Sequence, residues 1–312
     1  MSTTQSISGL IKDYLSEQDV NERTKLHQKY VLRSYFNWVN SMQYDYNFIQ
    51  RPQIIEYKNH LIDTKSILTA RTQFQIVKHF YGWAYLKSIF ENPTTGIRIK
   101  HKYQGYRRGI LTVPQVKQLL TSINRDNPKG LRDYAIVSLL VTRGLRIVEL
   151  HRANVSDLKD LKGVPVLFVQ RKGKLDKSLW CELDQTLLNS INLYLDSRLD
   201  ITGDDPLFAS LSRNNLGQRI STRNYSGMVK SYLRQIGIDD PHITAHSLRH
   251  TAAASLIAQG VDIYSVQLFL GHSSPQMTEV YTRMAEEQKR LENSPIHILT
   301  KLFMKDSESV KN

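Results

Sequence analysis

His246-Ser-Leu-Arg249-His250-Thr-Ala-Ala-Ala254, Leu270-Gly-His272-Ser-Ser-Pro275 and Tyr281-Thr-Arg283 follow one another near the end of a 312-residue chain. The first run begins as a helix begins, with Thr244 and Ser247 as candidate caps. Side chains three apart on a helix share a face, so His246 and Arg249 can converge on one anion. A guanidinium presents a planar fork of donors that matches two phosphate oxygens and stays charged at any working pH. That suits a phosphodiester gaining negative charge in its transition state. His272, between a glycine and Ser-Ser-Pro, is expected in a turn beside that face. Tyr281 sits in a Thr-rich patch with Thr278 and Thr282. A phenol titrates near pH ~10 and needs neighbouring cations or a base to act as a nucleophile; this stretch offers both. His246 and His250 at four-residue spacing also suit a metal pair, but no Glu lies between them and the one Cys is Cys181, so the zinc-ligand inventory is thin and no metal is expected.

Working outward, Gly144-Leu-Arg146-Ile-Val-Glu149-Leu150 ends an apolar helical run from Leu131. The Gly-Leu step breaks the helix and lets Arg146 emerge from a buried platform, with Glu149 as the group that orients its guanidinium. Two β-rich runs, 164–170 and 178–183, flank Arg171-Lys172-Gly173-Lys174 and read as a hairpin with a basic tip. An ammonium there can give a proton to a departing oxygen, where a guanidinium cannot.

These motifs, in this order, resemble the signature of the tyrosine recombinase family, of the phage integrase and Xer type. The resemblance covers residues 108–285 with specific motifs and the N-terminal part by size and helical character. It implies a mainly α fold with a small antiparallel β-sheet: a helical, SAM-like core-binding domain, then a mixed α/β catalytic domain. It also implies catalytic roles for Arg146, Lys172, His246, Arg249, His272 and Tyr281. Tyr281 would attack the scissile phosphate to give a 3′-phosphotyrosyl enzyme, the two arginines would clamp the non-bridging oxygens, the histidines would assist, and Lys172 would protonate the leaving 5′ oxygen, with Lys174 as its understudy. One phosphodiester is exchanged for another, so no cofactor, ATP or metal is required. Four protomers on double-stranded DNA would pass through a Holliday junction. Arg143 departs from the family pattern, where Thr is common, and Leu175-Asp176-Lys177 departs from the usual polar continuation. A type IB topoisomerase-like enzyme and a non-catalytic DNA-binding protein are the competing readings.

Charge supports a polyanionic partner independently. Lys and Arg number 42 against 29 Asp and Glu, giving a net charge of +13. No apolar run approaches the length of a spanning helix, so nucleic acid is preferred to membrane, and accessory proteins stay unidentified. A single Cys excludes an internal disulfide framework, and the absence of an apolar leader suggests a cytoplasmic protein.

Four expected segments follow. Residues 1–92 read as a helical core-binding domain whose aromatics, such as Phe74, Phe80, Tyr81 and Tyr85, fall at helical spacing and belong to its core. Residues 93–110 read as a basic linker, with Arg98, Lys100, Lys102, Arg107 and Arg108 as DNA-binding candidates and no acid among them. Residues 111–290 form the catalytic domain, opened by Thr112-Val-Pro-Gln as a helix start, with Arg223 beside the candidate cap Ser221 as a further phosphate contact. Residues 291–312 form a tail whose Ile298, Leu299, Leu302 and Phe303 make an apolar face that needs a partner, either its own domain or, as the resemblance implies, a neighbouring protomer.

Overall fold

The computed structural model describes residues 6–100, 109–171, 174, 176–271, 278–282 and 286. The chain divides into two units, residues 1–104 and 105–312. The first contains α1 (Ile7–Ser16), α2 (Glu22–Ser41), α3 (Arg51–Thr64) and α4 (Ile67–Leu86). Short polar side chains start three of them: Ser6, Asn21 and Ser66 each accept a hydrogen bond from the backbone N–H three residues on. Each such cap satisfies a donor that the helix itself leaves open. Pro52 stands in the first turn of α3, where its missing N–H costs nothing.

The inward faces of these helices meet in an aromatic core of Tyr14, Tyr35, Phe36, Tyr57, Phe74, Phe80 and Tyr81, all at most 3% exposed. Burying each ring removes apolar area worth about 2–3 kcal/mol. Tyr35 and Tyr81 satisfy their buried hydroxyls on each other at 2.8 Å. Tyr85, one turn beyond Tyr81, points outward and is 54% exposed, contrary to its expected place in the core. Ile97 and Ile99 pack into the same core while Arg98 and Lys100 alternate outward. The stretch read as a linker is therefore built into the first unit as far as Ile99, because its period-two alternation gives it an apolar face to bury.

In the second unit, α5 (Val113–Thr121) opens with a capping box between Thr112 and Gln115. Then come α6 (Pro128–Thr142), α7 (Ile147–Arg152), the strands β1 (Leu158–Leu161), β2 (Val164–Val169) and β3 (Leu179–Glu182), and four helices: α8 (Gln185–Asp196), α9 (Thr222–Gln235), α10 (Ala245–Ala258) and α11 (Ile263–Leu270). Residues 278–282 are helical. α6 is buried along most of its length, from Ala135 to Val141, and packs against α5, α8 and α10.

The strands form one antiparallel sheet in the order β1-β2-β3. Sequence reading anticipated β2 and β3 but not β1. Lys162 and Gly163, both at positive φ, make the two-residue turn that pairs Leu161 with Val164. The apolar segment after Arg249 is also interrupted: Gly260, at φ +88°, ends one helix, and Asp262 caps the next by accepting from Ser265 N at 2.9 Å. The fold is mainly helical with a small antiparallel sheet, as expected from the sequence. Among the described residues, no helix is long and apolar enough to cross a membrane.

Candidate active site

Gly144, at φ +57°, turns the chain out of α6 so that Arg146 becomes the residue that precedes α7. Glu149, one helical turn later, accepts from Arg146 N at 2.8 Å through one carboxylate oxygen and from Arg146 Nη1 at 3.0 Å through the other. The carboxylate is 2% exposed and the arginine side chain 21%. Backbone and side chain of Arg146 are thus held by a single buried carboxylate.

Arg249 approaches the same place from α10. Its guanidinium is buried and donates to the backbone carbonyls of Gly144 and Leu270, the latter at 2.8 Å. Two carbonyl dipoles do not neutralise a cation. Burial, and after it the charge of Arg146, lowers the Arg249 pKa to about 10, while Glu149 and Tyr281 act in the opposite direction.

Two further arginines border this pair. Arg171, just past β2 and two residues beyond the buried Val169, lies against Gly271; burial depresses its pKa, Glu149 opposing and Arg146 reinforcing the shift. Arg143 stacks on the Phe269 ring at 5.2 Å, and its charge opposes the rise that burial gives the Cys181 thiol pKa. Arg143 Nε and Arg171 Nε are buried with no hydrogen-bond partner among the described residues. Three guanidiniums, of Arg146, Arg171 and Arg249, around the buried Glu149 carboxylate leave a surplus of positive charge, the electrostatics of an oxyanion site.

Tyr281 stands 2% exposed and packs on one side against Ala253, Ala254, Val266 and Leu270. Its hydroxyl lies 2.8 Å from His250 Nδ1. His246 is half-buried at the start of α10, its ring edge-on to that of His250 with centroids 4.4 Å apart. Ser247 Oγ accepts from Thr244 N to fix this helix start.

The structure thus gathers Arg146, Glu149 and Arg249 through their mutual electrostatics, and His246 and Tyr281 around His250. Lys174 is exposed in the turn after β2, its N–H bonded to Arg171 O at 3.1 Å. Arg223 is exposed in the first turn of α9, where Ser221 is the cap. Arg98 and Lys100 are exposed in the first unit. Lys172, His272, Lys102, Arg107 and Arg108, and the tail from 291 on, lie outside the described residues. His250, Arg171 and Arg143 are site residues that sequence reading did not select. The signals were present: His250 shares a helix face with His246, and Arg171 shares a strand face with Val169.

Residues 110–288 match the phage integrase family. The tyrosine recombinase XerC of Caldanaerobacter subterraneus subsp. tengcongensis is 33% identical over 220 residues, covering 69% of this chain and 58% of that relative. The tyrosine recombinase XerD of Vibrio vulnificus is 24% identical over 298 residues, 93% of this chain and 95% of the relative. Among solved structures, the fold resembles the XerH site-specific recombinase bound to a palindromic difH substrate, with a TM-score of 0.70, 16% identity and coverage of 93% and 84%. It also resembles a lambda integrase dimer bound to a COC′ core site, with a TM-score of 0.67, 16% identity and coverage of 88% and 97%. The chain belongs to the phage integrase family of tyrosine recombinases.

Proposed function

We propose that this chain cuts and rejoins double-stranded DNA at specific sites, with Tyr281 as the nucleophile and Arg146 and Arg249 as the clamp on the scissile phosphate. The observation that carries this reading is the convergence of Arg146, Glu149 and Arg249 beside Tyr281, a cationic pocket next to a phenol, in a member of this family. As Tyr281 Oη bonds to phosphorus, the charge developing on the phosphoryl oxygens meets guanidiniums already fixed by Glu149 and by backbone carbonyls. Little reorganisation is then required when the transition state forms. His246 assists by hydrogen bonding and proton management. By resemblance, Lys172 protonates the 5′ oxygen and His272 assists. The balance of one phosphodiester for another needs no hydrolytic energy.

Four protomers on paired sites, exchanging strands two at a time through a Holliday junction, complete the reading, with the tail from 291 docking on a neighbour. The biological task is integration and excision of a mobile element, or resolution of the Xer kind. The test uses duplexes nicked next to candidate scissile positions, drawn from DNA flanking the gene, incubated in EDTA with wild type and Tyr281→Phe. A covalent protein–DNA adduct on a denaturing gel with wild type alone supports the reading. Binding without any adduct would leave a DNA-binding protein with a silent site.

A further inference from the structure

His250 has no task in that scheme, yet its imidazole holds the nucleophile. It follows Arg249 on α10, is 4% exposed, and places Nδ1 2.8 Å from the hydroxyl of Tyr281, itself 2% exposed. The two rings are 5.3 Å apart and tilted by 42°, so the contact is through the heteroatoms rather than by stacking. A phenol with a usual pKa of about 10 enters the reaction protonated at neutral pH, and its proton must leave as the oxygen bonds to phosphorus. A general base must stand within hydrogen-bond reach of that proton, and His250 Nδ1 does so before any substrate arrives. Tyr281 is buried, packed in part against Ala253, Ala254, Val266 and Leu270, which keeps bulk water away and favours transfer to a group already in contact.

We propose that His250 is the general base of DNA cleavage, an inference that rests on Tyr281 being the nucleophile. In the cleavage step the Tyr281 Oη–P bond forms and the P–O5′ bond breaks, its electron pair leaving with O5′. The phenol proton passes to His250 Nδ1, and O5′ takes a proton from the general acid assigned to Lys172. In rejoining, the O5′–P bond forms as the 5′ hydroxyl gives its proton to that acid, and the Tyr281 Oη–P bond breaks with its electron pair leaving on Oη, which takes the proton back from His250. This role requires a neutral His250 with its hydrogen on Nε2 and Nδ1 as acceptor. His246 stands edge-on to His250, with ring centroids 4.4 Å apart.

The experiment measures single-turnover adduct formation by the full chain on the nicked duplexes, for wild type, His250→Asn and His250→Ala, with DNA affinity and melting temperature measured in parallel. The asparagine amide can occupy the position of Nδ1 and hydrogen-bond the phenol, but it cannot take a proton at neutral pH. His250→Asn is expected to bind DNA as wild type does and to form adduct about 100-fold or more slowly, the scale of a lost general base. Added imidazole is expected to restore His250→Ala at least about tenfold, within that same range. Adduct formation by His250→Asn within about threefold of wild type overturns the assignment, being too small for a lost base. So does a slow His250→Ala that imidazole leaves unchanged, which would mark a positioning role only. Absence of adduct with wild type itself fails the nucleophile reading, and the base with it.

Discussion

Arg249 donates to the carbonyl of Gly144, 105 residues earlier in the chain, so the guanidinium of one arginine is positioned by the turn that presents another. Gly144 is at φ +57°, and a Cβ there would come within 2.9 Å of Leu270 Cδ2. Gly144→Ala is therefore expected to cost about 2 kcal/mol, from left-handed backbone strain and the collision. Denaturant unfolding checks the stability, and adduct formation should fall by at least tenfold while DNA affinity holds. Gly217→Ala is the control: it sits at φ +75° with open space around it, and should lose about 1 kcal/mol and no activity.

Glu149 answers two donors of Arg146 at once from a buried position. Glu149→Gln keeps the size of the side chain but removes the carboxylate charge that faces Arg146, Arg171 and Arg249. It is expected to slow adduct formation about tenfold to a hundredfold, with modest loss of stability. Glu149→Ala also leaves Arg146 N without its acceptor and should cost about 2–3 kcal/mol. Equal rates for Glu149→Gln and wild type would show that the carboxylate's charge does not matter for orienting Arg146.

The lowered pKa of Arg249, about 10, has a definite sign for stability. The folded form holds this proton less tightly than the unfolded chain, so charged Arg249 opposes folding below about pH 10, and stability rises as pH passes from about 10 toward the usual arginine range. At neutral pH the penalty is fully present, and an oxyanion that enters the pocket relieves it. Sulfate is therefore expected to raise the melting temperature more than chloride at equal ionic strength, and Arg249→Gln should shrink that difference. An equal response in both proteins would dissociate the anion effect from this pocket.

Much of this architecture was legible. Helix starts announced themselves through Thr112 and Ser221, because a cap is a local event with a local signature. Arg146 and Glu149 could be paired from spacing alone, since one helical turn brings them together. What stayed hidden depended on tertiary approach. Arg143 reaches Phe269 and Cys181 across the unit, and no local pattern states that. Nor does the count of basic residues say which of them face a partner. Arg219, for one, is used internally, donating to the carbonyls of His151 and Ala153 and to Asn154 Oδ1. β1 was missed because Lys162-Gly163 is a weaker turn signal than Asn-Gly.

The paired hydroxyls of Tyr35 and Tyr81 illustrate the same point in the first unit, where helical spacing placed both rings in the core but not on each other. Tyr35→Phe should cost about 1–2 kcal/mol, because it strands the buried Tyr81 hydroxyl. Adding Tyr81→Phe removes the stranded group, so the double variant should be more stable than either single one. Strictly additive losses in denaturant titrations would deny the coupling.

Arg98 and Lys100 project from the first unit on the side opposite the buried Ile97 and Ile99, and the segment is tied down by Lys78 Nζ, which donates to Ile97 O at 2.9 Å. Neither candidate is used to hold the core, so both charges are available to DNA phosphates. Replacing each by Ala should leave folding intact and weaken DNA binding on every sequence alike. The dependence of log affinity on log salt should become shallower by about one unit for each phosphate that is no longer neutralised. Affinity measured at several salt concentrations, on a candidate site and on unrelated duplex, decides the matter. A slope unchanged in the double variant would mean that the exposed face of this segment is solvated rather than engaged. A weakening confined to the candidate site would instead make one of the two a reader of base edges, since binding to phosphates carries no sequence information.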